Sequence, residues 1–400
     1  MTIAVRAPEG KDWTFPEVPR VRPRRLLSTC GLDLASLRPK VSRPGFVTNI
    51  VNEMPMLARW SQPRQILLRP DSLAAFADRA PSSSGRSGSV AGDHGSRSIG
   101  IAVPAWLGQA DRRQLRQQLD PGNEWSITMM NSTLAAVCGG EFAHEGEAPP
   151  ANVLCLDLRV GFSASVVVVG HSSVTEVGAW GAADGDRDAP ARNVDGLAEV
   201  LDRLLDDIAR LGLTSIDEIL LVVDGAATGD TTPALVCAAL DRCAHPWAST
   251  PVDVLADHRF VTAGAAMSIE PRRAFDVTSS IARGLAVRSC IRLFNPRMHV
   301  IVPQHTRVMT ILRQSFDLGP DDGSALHVEI FEQTGMWPSG LSTDHRPVAT
   351  VGFIGERGYD QRTVAAISID RDGALAIGPN KAWRTDWHRG PLDVRDMLSD

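Results

Sequence analysis

The period of the apolar positions changes along this chain, and the change divides it. In Asp195–Leu211 the apolar residues Val200, Leu201, Leu204, Leu205, Ile208 and Leu211 recur at helical spacing. Ile219–Val223 is an unbroken apolar run that predicts a buried strand ending at Asp224-Gly225. Strands are predicted at Ile99–Val103 (stopped by Pro104), Ser126–Met130 and Val252–Leu255. Helices are predicted at Gln109–Leu119, from Thr133, at Thr232–Cys243 and at Ala263–Ile269. Strands alternating with helices predict a mixed α/β domain up to about residue 270. Beyond Pro271 the period becomes two, most clearly in Leu326-His327-Val328-Glu329-Ile330. Runs at Met298–Val302, Thr306–Ile311, Ala325–Phe331, Ala349–Ile354 and Thr363–Ile369 predict an all-β sandwich of about eight strands.

One stretch carries candidate chemistry. Val153–Gly170 is an apolar strand delivering Asp157, a turn containing Gly161, and a second apolar run at Val166–Val169. This is a β-hairpin with a carboxylate at its tip. Glycine there lets backbone N–H groups approach an anion closely. The same pattern also fits a buried hairpin whose Asp only caps its turn. Upstream, residues 1–65 form an irregular N-terminal segment, rich in Pro and Arg at its start. Its Gly31-Leu32-Asp33-Leu34 is a second Gly-Asp turn, without a following Gly-Thr-Thr, and fits local turn or cap chemistry. A short amphipathic helix is predicted at Arg69–Ala80, followed by a flexible low-complexity insert over 82–97. Residues 378–400 form a polar, Trp-containing tail.

Composition narrows the classes. An apolar content of 43% and a mean hydropathy of −0.07 fit a soluble globular chain. A net charge of −6 implies no nucleic-acid partner. No apolar run reaches the length of a membrane span, and the N-terminus lacks the apolar core of a signal peptide. The six cysteines are scattered without metal-ligand spacing, as expected of free thiols in a reducing cytoplasm.

Val103-Pro104-Ala105-Trp106, Met130–Ala136, Asp157–Ala164, Val222–Gly225, Ala263–Ala266 and Asp276–Thr278, taken in order, resemble the motifs of the DnaK (heat-shock-70) chaperone family, and the resemblance covers most of 66–377. Val103-Pro104-Ala105-Trp106 is similar to its VPAYF segment, and Met130-Asn131-Ser132-Thr133-Leu134-Ala135-Ala136 to the first connecting motif, NEPTAAA. Asp157-Leu158-Arg159-Val160-Gly161-Phe162-Ser163-Ala164 sits at the second phosphate loop, DLGGGTFD. Val222-Val223-Asp224-Gly225 sits at the adenosine motif, Ala263-Gly264-Ala265-Ala266 at the second connecting motif, and Asp276-Val277-Thr278 at the DVTP after the interdomain linker. In the β region, Met298–Met309 and Asp321–Glu332 run without gaps along family segments, and Thr363–Leu375 resembles the closing strand–DxxG–strand. The resemblance implies a truncated actin-like (ribonuclease-H-like) ATPase lobe over 66–270, a linker over 271–285, and a β-sandwich peptide-binding domain over 286–377.

The departures fall on the chemistry. Arg159 and Val160 replace loop glycines, Phe162 a threonine and Ala164 the second aspartate. Asn131 and Ser132 replace the Glu and Pro that the family uses as proton relay and switch. Asp224 would set a negative charge beside an anionic nucleotide, and the first phosphate loop and catalytic Lys have no counterpart. The resemblance therefore implies only a vestigial nucleotide site at Asp157, Gly161 and Gly225, with ATP and magnesium bound weakly if at all and no metal site. For peptide capture it implies a central pocket at Leu326 with Ile291, Phe316, Val328 and Ile330 around it, and an arch at Phe294 and Gly319. No helical lid follows, and Arg272-Arg273-Ala274-Phe275 in place of an apolar linker argues against linker docking. The expected function is ATP-independent binding of extended hydrophobic segments of unfolded proteins in the cytoplasm, with co-chaperones as further partners. An ATP-driven chaperone and a regulatory or scaffolding pseudo-ATPase are the alternatives.

Overall fold

The computed structural model describes residues 3–4, 13–14, 29–35, 97–108, 111–112, 115–116, 125–143, 151–170, 173–183, 186, 189–191, 193–223, 231–255, 258–267, 276–288, 298–308, 311–317, 326–333, 335–337, 349–353, 362–369 and 375–379. The predicted helix at 69–80, the insert at 82–97 and the C-terminal tail at 378–400 lie outside these residues, apart from Arg97, Gly378 and Pro379. β1 (Ile3–Ala4) and β2 (Trp13–Thr14) form a short antiparallel ladder. β3 (Thr29–Asp33), β4 (Arg97–Val103) and β5 (Trp125–Asn131) form a parallel sheet in that order. Thr29–Asp33 thus corrects the expectation of an irregular segment over 1–65. Its Leu32-Asp33 end pairs residue for residue with the apolar Ile101-Ala102, a ladder that no local periodicity announces.

The predicted hairpin forms. β6 (Ala151–Asp157) pairs antiparallel with β7 (Phe162–Val169), which pairs antiparallel with β8 (Ser173–Ala182). On the other side of β6, β9 (Glu218–Val222) and then β10 (Val252–Leu255) add in parallel. β11 (Asp276–Thr278) adds in parallel to β8. The resulting six-stranded sheet has the order β10-β9-β6-β7-β8-β11. Its mixed α/β topology is compatible with an actin-like lobe. β11 seats residues 276–278 on this sheet, whereas Arg272-Arg273-Ala274-Phe275 of the expected linker lie outside the described residues.

Among the described residues, the sheet is covered by α1 (Ser132–Ala143), α2 (Val194–Arg210), α3 (Thr232–Leu240) and α4 (His258–Met267). α2 begins where the Asn193 side chain accepts the Gly196 N–H, a typical N-cap. Its buried residues are Leu197, Ala198, Leu201, Leu204, Leu205 and Ile208, the stripe that the sequence predicts. Alternation along β6 splits the core. Leu154 and Leu156 join the cluster with α2 and α3, whereas Val153 and Cys155 join that with α1 and α4. α1 and α4 cross at Gly139 and Gly264, where a Cβ would lie 2.0 Å from Phe260 O and 1.8 Å from Ala135 O respectively.

The C-terminal part is antiparallel. β12 (Leu285–Arg288) pairs with β13 (Met298–Val302) and β15 (Leu326–Glu332), and β15 pairs with β16 (Ala349–Phe353). β14 (Ile311–Asp317), β17 (Arg362–Ile369) and β18 (Leu375–Pro379) form a separate three-stranded sheet. The strand predicted at Thr306–Ile311 begins instead at Ile311. The chain turns at Pro303–Thr306, with His305 at φ 66° and Thr306 Oγ1 donating to Pro303 O. This turn meets the α/β sheet: the Ala179 N–H donates to His305 Nδ1 at 3.1 Å, and the His305 and Trp180 rings lie 4.4 Å apart. Met336 and Trp337 are buried in the α2 cluster, with the Arg203 guanidinium 4.3 Å above the Trp337 ring.

Candidate functional site

Alternation along the central strands decides which polar groups meet. Asp157 continues the phase of Val153 and Cys155, so it faces α1. Ser165 on β7 and Glu176 on β8 face the same way, as their contacts with the start of α1 show. Three consecutive residues at the β5–α1 junction each reach a different strand. Asn131 Nδ2 donates to both Glu176 oxygens at 3.0 Å, Ser132 Oγ donates to Asp157 Oδ2 at 2.7 Å, and Thr133 Oγ1 lies 2.5 Å from Ser165 Oγ. The positive end of the α1 dipole therefore points at two buried carboxylates.

Arg159 fills the tip of the hairpin. Its Nε and Nη2 donate to Asp157 Oδ1 and Oδ2 at 2.9 and 2.8 Å, and its backbone N–H to Asp157 Oδ1 at 3.1 Å. Its Nη1 donates to Asp33 Oδ2 at 2.6 Å. Asp33 also caps its own turn, accepting from Ala35 N–H at 3.1 Å, as the sequence suggests. The side chains of Arg159, Asp33 and Asp157 are 4%, 0% and 3% exposed. Burial alone would raise the Asp157 carboxyl, but the charge and hydrogen bonds of Arg159 and the Ser132 hydroxyl hold it below the ordinary carboxylate range. The Arg159 guanidinium, desolvated yet flanked by two carboxylates, is raised above its ordinary value.

Gly161 serves the turn. It has φ 68°, and a Cβ there would come within 2.6 Å of Ala182 O and 2.9 Å of Trp106 Nε1. Trp106 Nε1 donates to Val160 O at 2.8 Å, and the Ala105 N–H to Ser163 Oγ at 3.0 Å. One side of the loop is thus covered by Val103–Leu107 of the first sheet's connection. A small cleft on another side is lined by Leu158, Gly161, Phe162, Pro190, Ala191, Leu197 and Leu235, with no charged side chain.

A second polar cluster centres on Glu176, which is fully buried. Besides Asn131, it accepts from Ser165 Oγ at 2.5 Å, Ser280 N–H at 2.7 Å and Ser280 Oγ at 3.2 Å. Burial raises its carboxyl above the ordinary value, against the pull of those donors. Arg112 Nη2 donates to Asn131 Oδ1 at 2.8 Å and Arg112 Nε to Leu107 O at 2.9 Å. Burial lowers the Arg112 guanidinium, partly offset by the charges of Glu332 and Glu176. One chain of contacts thus runs from the first sheet through β8 to the segment after β11.

Of the sequence-predicted residues, Asp157 and Gly161 meet at this hairpin. Gly225, Ile291, Phe294 and Gly319 lie outside the described residues. Leu326 and Val328 occupy β15, paired with Phe353 and Val351. Phe316 lies on β14, paired with Thr363 in the other sheet, so backbone pairing does not bring it to Leu326. The roles of Asp33, Arg159 and Glu176 are not evident from local pattern. Only Glu176 leaves a sequence signal, a charge in phase with the buried Val174.

The residues do not fit a magnesium–nucleotide at the hairpin. Each Asp157 oxygen already accepts two donors, and a guanidinium stands between the two aspartates. Among the described residues no group of three or more His, Cys, Asp or Glu gathers to hold a metal ion. None of the described helices is long and apolar enough to cross a membrane.

No family model matches the chain, and no curated protein matches it. Among solved structures it is similar to an inorganic polyphosphate/ATP-glucomannokinase from Arthrobacter sp. strain KM. The two are 12% identical, over 58% of this chain and 85% of that chain, with a TM-score of 0.31. A likeness of that degree carries no weight for fold or activity, which rest on the geometry above.

Proposed function

We propose that this chain is a chaperone-like protein of the heat-shock-70 type. It captures extended hydrophobic segments on its C-terminal sheets, and its actin-like α/β lobe does not hydrolyse ATP. The observation that carries the second half is the Arg159 guanidinium bound by Asp33 and Asp157, where a nucleotide's metal and phosphates would need open carboxylates and a free glycine backbone. Strand order supports the lobe: three consecutive strands in antiparallel sequence, then two added in parallel on the far side of the first. For the first half, the support is the pair of antiparallel sheets. Stacked as a sandwich, they would bring Phe316 over the Leu326–Val328 strand and build the predicted pocket. Such a site offers backbone hydrogen bonds and an apolar pocket to an extended peptide.

Titration with Mg-ATP and Mg-ADP, with thermal stability and phosphate release read together, tests the lobe. A bound nucleotide at a hundredfold excess over Kd would stabilise the native state by about 2.7 kcal/mol. The expected result is no shift and no phosphate. A saturable shift would refute the non-hydrolysing lobe if phosphate appears with it. A screen of immobilised hydrophobic peptides tests the other half: enrichment lost in Leu326→Asp is expected, and no enrichment at all would leave a scaffold in place of a chaperone.

A further inference from the structure

Asp33 ends a strand of one sheet and Asp157 ends a strand of another, and the group between them belongs to the chain itself. Arg159 is set by its own turn. Its backbone N–H and the Nε/Nη2 edge of its guanidinium all donate to Asp157, two residues away. That side-on pairing fixes the plane of the group and aims Nη1 at Asp33, which lies 126 residues away in sequence. Ser132 Oγ also donates to Asp157, and Ala35 N–H to Asp33. Two carboxylates share one cation in a water-poor setting, where an uncompensated charge is most costly. A lysine ammonium is a compact point charge, whereas the guanidinium fork serves both carboxylates at once.

We propose that the Asp33–Asp157 pair is a cation site whose cation is built into the chain. The Arg159 guanidinium holds the two sheets together at their strand ends, so their closure needs no diffusible ligand. This deepens the proposal that the lobe does not turn over nucleotide, by naming what its carboxylates bind instead. It also names the ligand class that would compete once the side chain is removed: small cations, guanidinium above all.

The test is thermal unfolding of the full chain in chelator-treated buffer, for the unmodified protein, Arg159→Ala, and Arg159→Ala combined with Asp33→Asn. The probes are guanidinium chloride and magnesium chloride at low-millimolar concentration, far below denaturing levels. Arg159→Ala should lower Tm by about 10 °C, because it strands two buried carboxylates. Either cation should restore part of that loss saturably, with no effect on the unmodified protein. Rescue should vanish when Asp33→Asn is added. An unchanged Tm, no rescue by either cation, or equal rescue with Asp33→Asn would each overturn the proposal. If Arg159→Ala does not fold, the neutral triple variant Asp33→Asn/Asp157→Asn/Arg159→Met decides. Its folding supports the counter-ion role, and its failure as well would show that these side chains matter for shape rather than charge. A gain in stability of the unmodified protein with Mg-ATP, accompanied by phosphate release, would count against the proposed function, and cation rescue of Arg159→Ala would still decide the clamp.

Discussion

Replacing Glu176 separates two effects that the fold sets against each other. The carboxylate accepts from four groups: Asn131 Nδ2, Ser165 Oγ, Ser280 N–H and Ser280 Oγ. In Glu176→Ala the Ser280 N–H loses its acceptor in a buried site and Asn131 Nδ2 keeps only Ser280 O at 3.4 Å, while the Ser165 hydroxyl can turn to Thr133. One orphaned donor, one weakened donor and a small cavity should cost about 3 kcal/mol. Glu176→Gln keeps the shape and one carbonyl oxygen for the Ser280 N–H, and its amide can donate to Ser165 Oγ. Because burial already disfavours the charged form, Glu176→Gln should cost less than Glu176→Ala, the remaining loss being one of the two Asn131 Nδ2 contacts.

The pH dependence gives the sharper sign. Glu176 has a folded-state pKa raised above its unfolded value of 4.5. Its contribution to stability is therefore fully present below the unfolded value and is lost as pH rises through the folded one. His305 acts oppositely: burial pushes it from 6.5 down to about 4, so stability falls as pH drops from 6.5 toward 4. The unmodified protein alone shows their sum. The difference between it and Glu176→Gln, from urea unfolding at a series of pH values, isolates the carboxylate. Glu176→Gln should gain relative stability as pH rises and then level off above the folded pKa. A flat difference, or a relative loss with rising pH, would refute the account of Glu176 as a desolvated acid.

Three further outcomes are expected. Gly264→Ala should lose about 3 kcal/mol in chemical denaturation, because its Cβ would meet Ala135 O at 1.8 Å and force α1 and α4 apart. Gly140→Ala, on the same α1 but with nothing within 4 Å of the new Cβ, should instead be neutral or gain up to about 1 kcal/mol. His305→Phe keeps a ring against Trp180 but leaves the Ala179 N–H without its acceptor, at a cost of about 1–3 kcal/mol near neutral pH. It should also abolish about 3 kcal/mol of pH-dependent loss between pH 6.5 and about 4, read as the narrowing gap to the unmodified protein on acidification.

What the sequence makes legible here is local. The β6–β7 hairpin and α2 follow from apolar spacing, and the structure places both within a residue or two of their predicted bounds. The cross-sheet chemistry was hidden because its partners are far apart. Judged against the glycines of a phosphate loop, Arg159 is only a loss, and its gain appears once Asp33 arrives through a parallel ladder from the other end of the chain. The same holds for Asn131-Ser132-Thr133. As replacements within a catalytic motif they look like decay, yet each binds a polar group on a different strand, Glu176, Asp157 and Ser165. Without these donors Asp157 and Glu176 would be buried carboxyl groups lacking partners, at a cost of several kcal/mol. Here the motif's own positions supply the partners. These polar groups therefore tie the strand ends of the lobe to the start of α1.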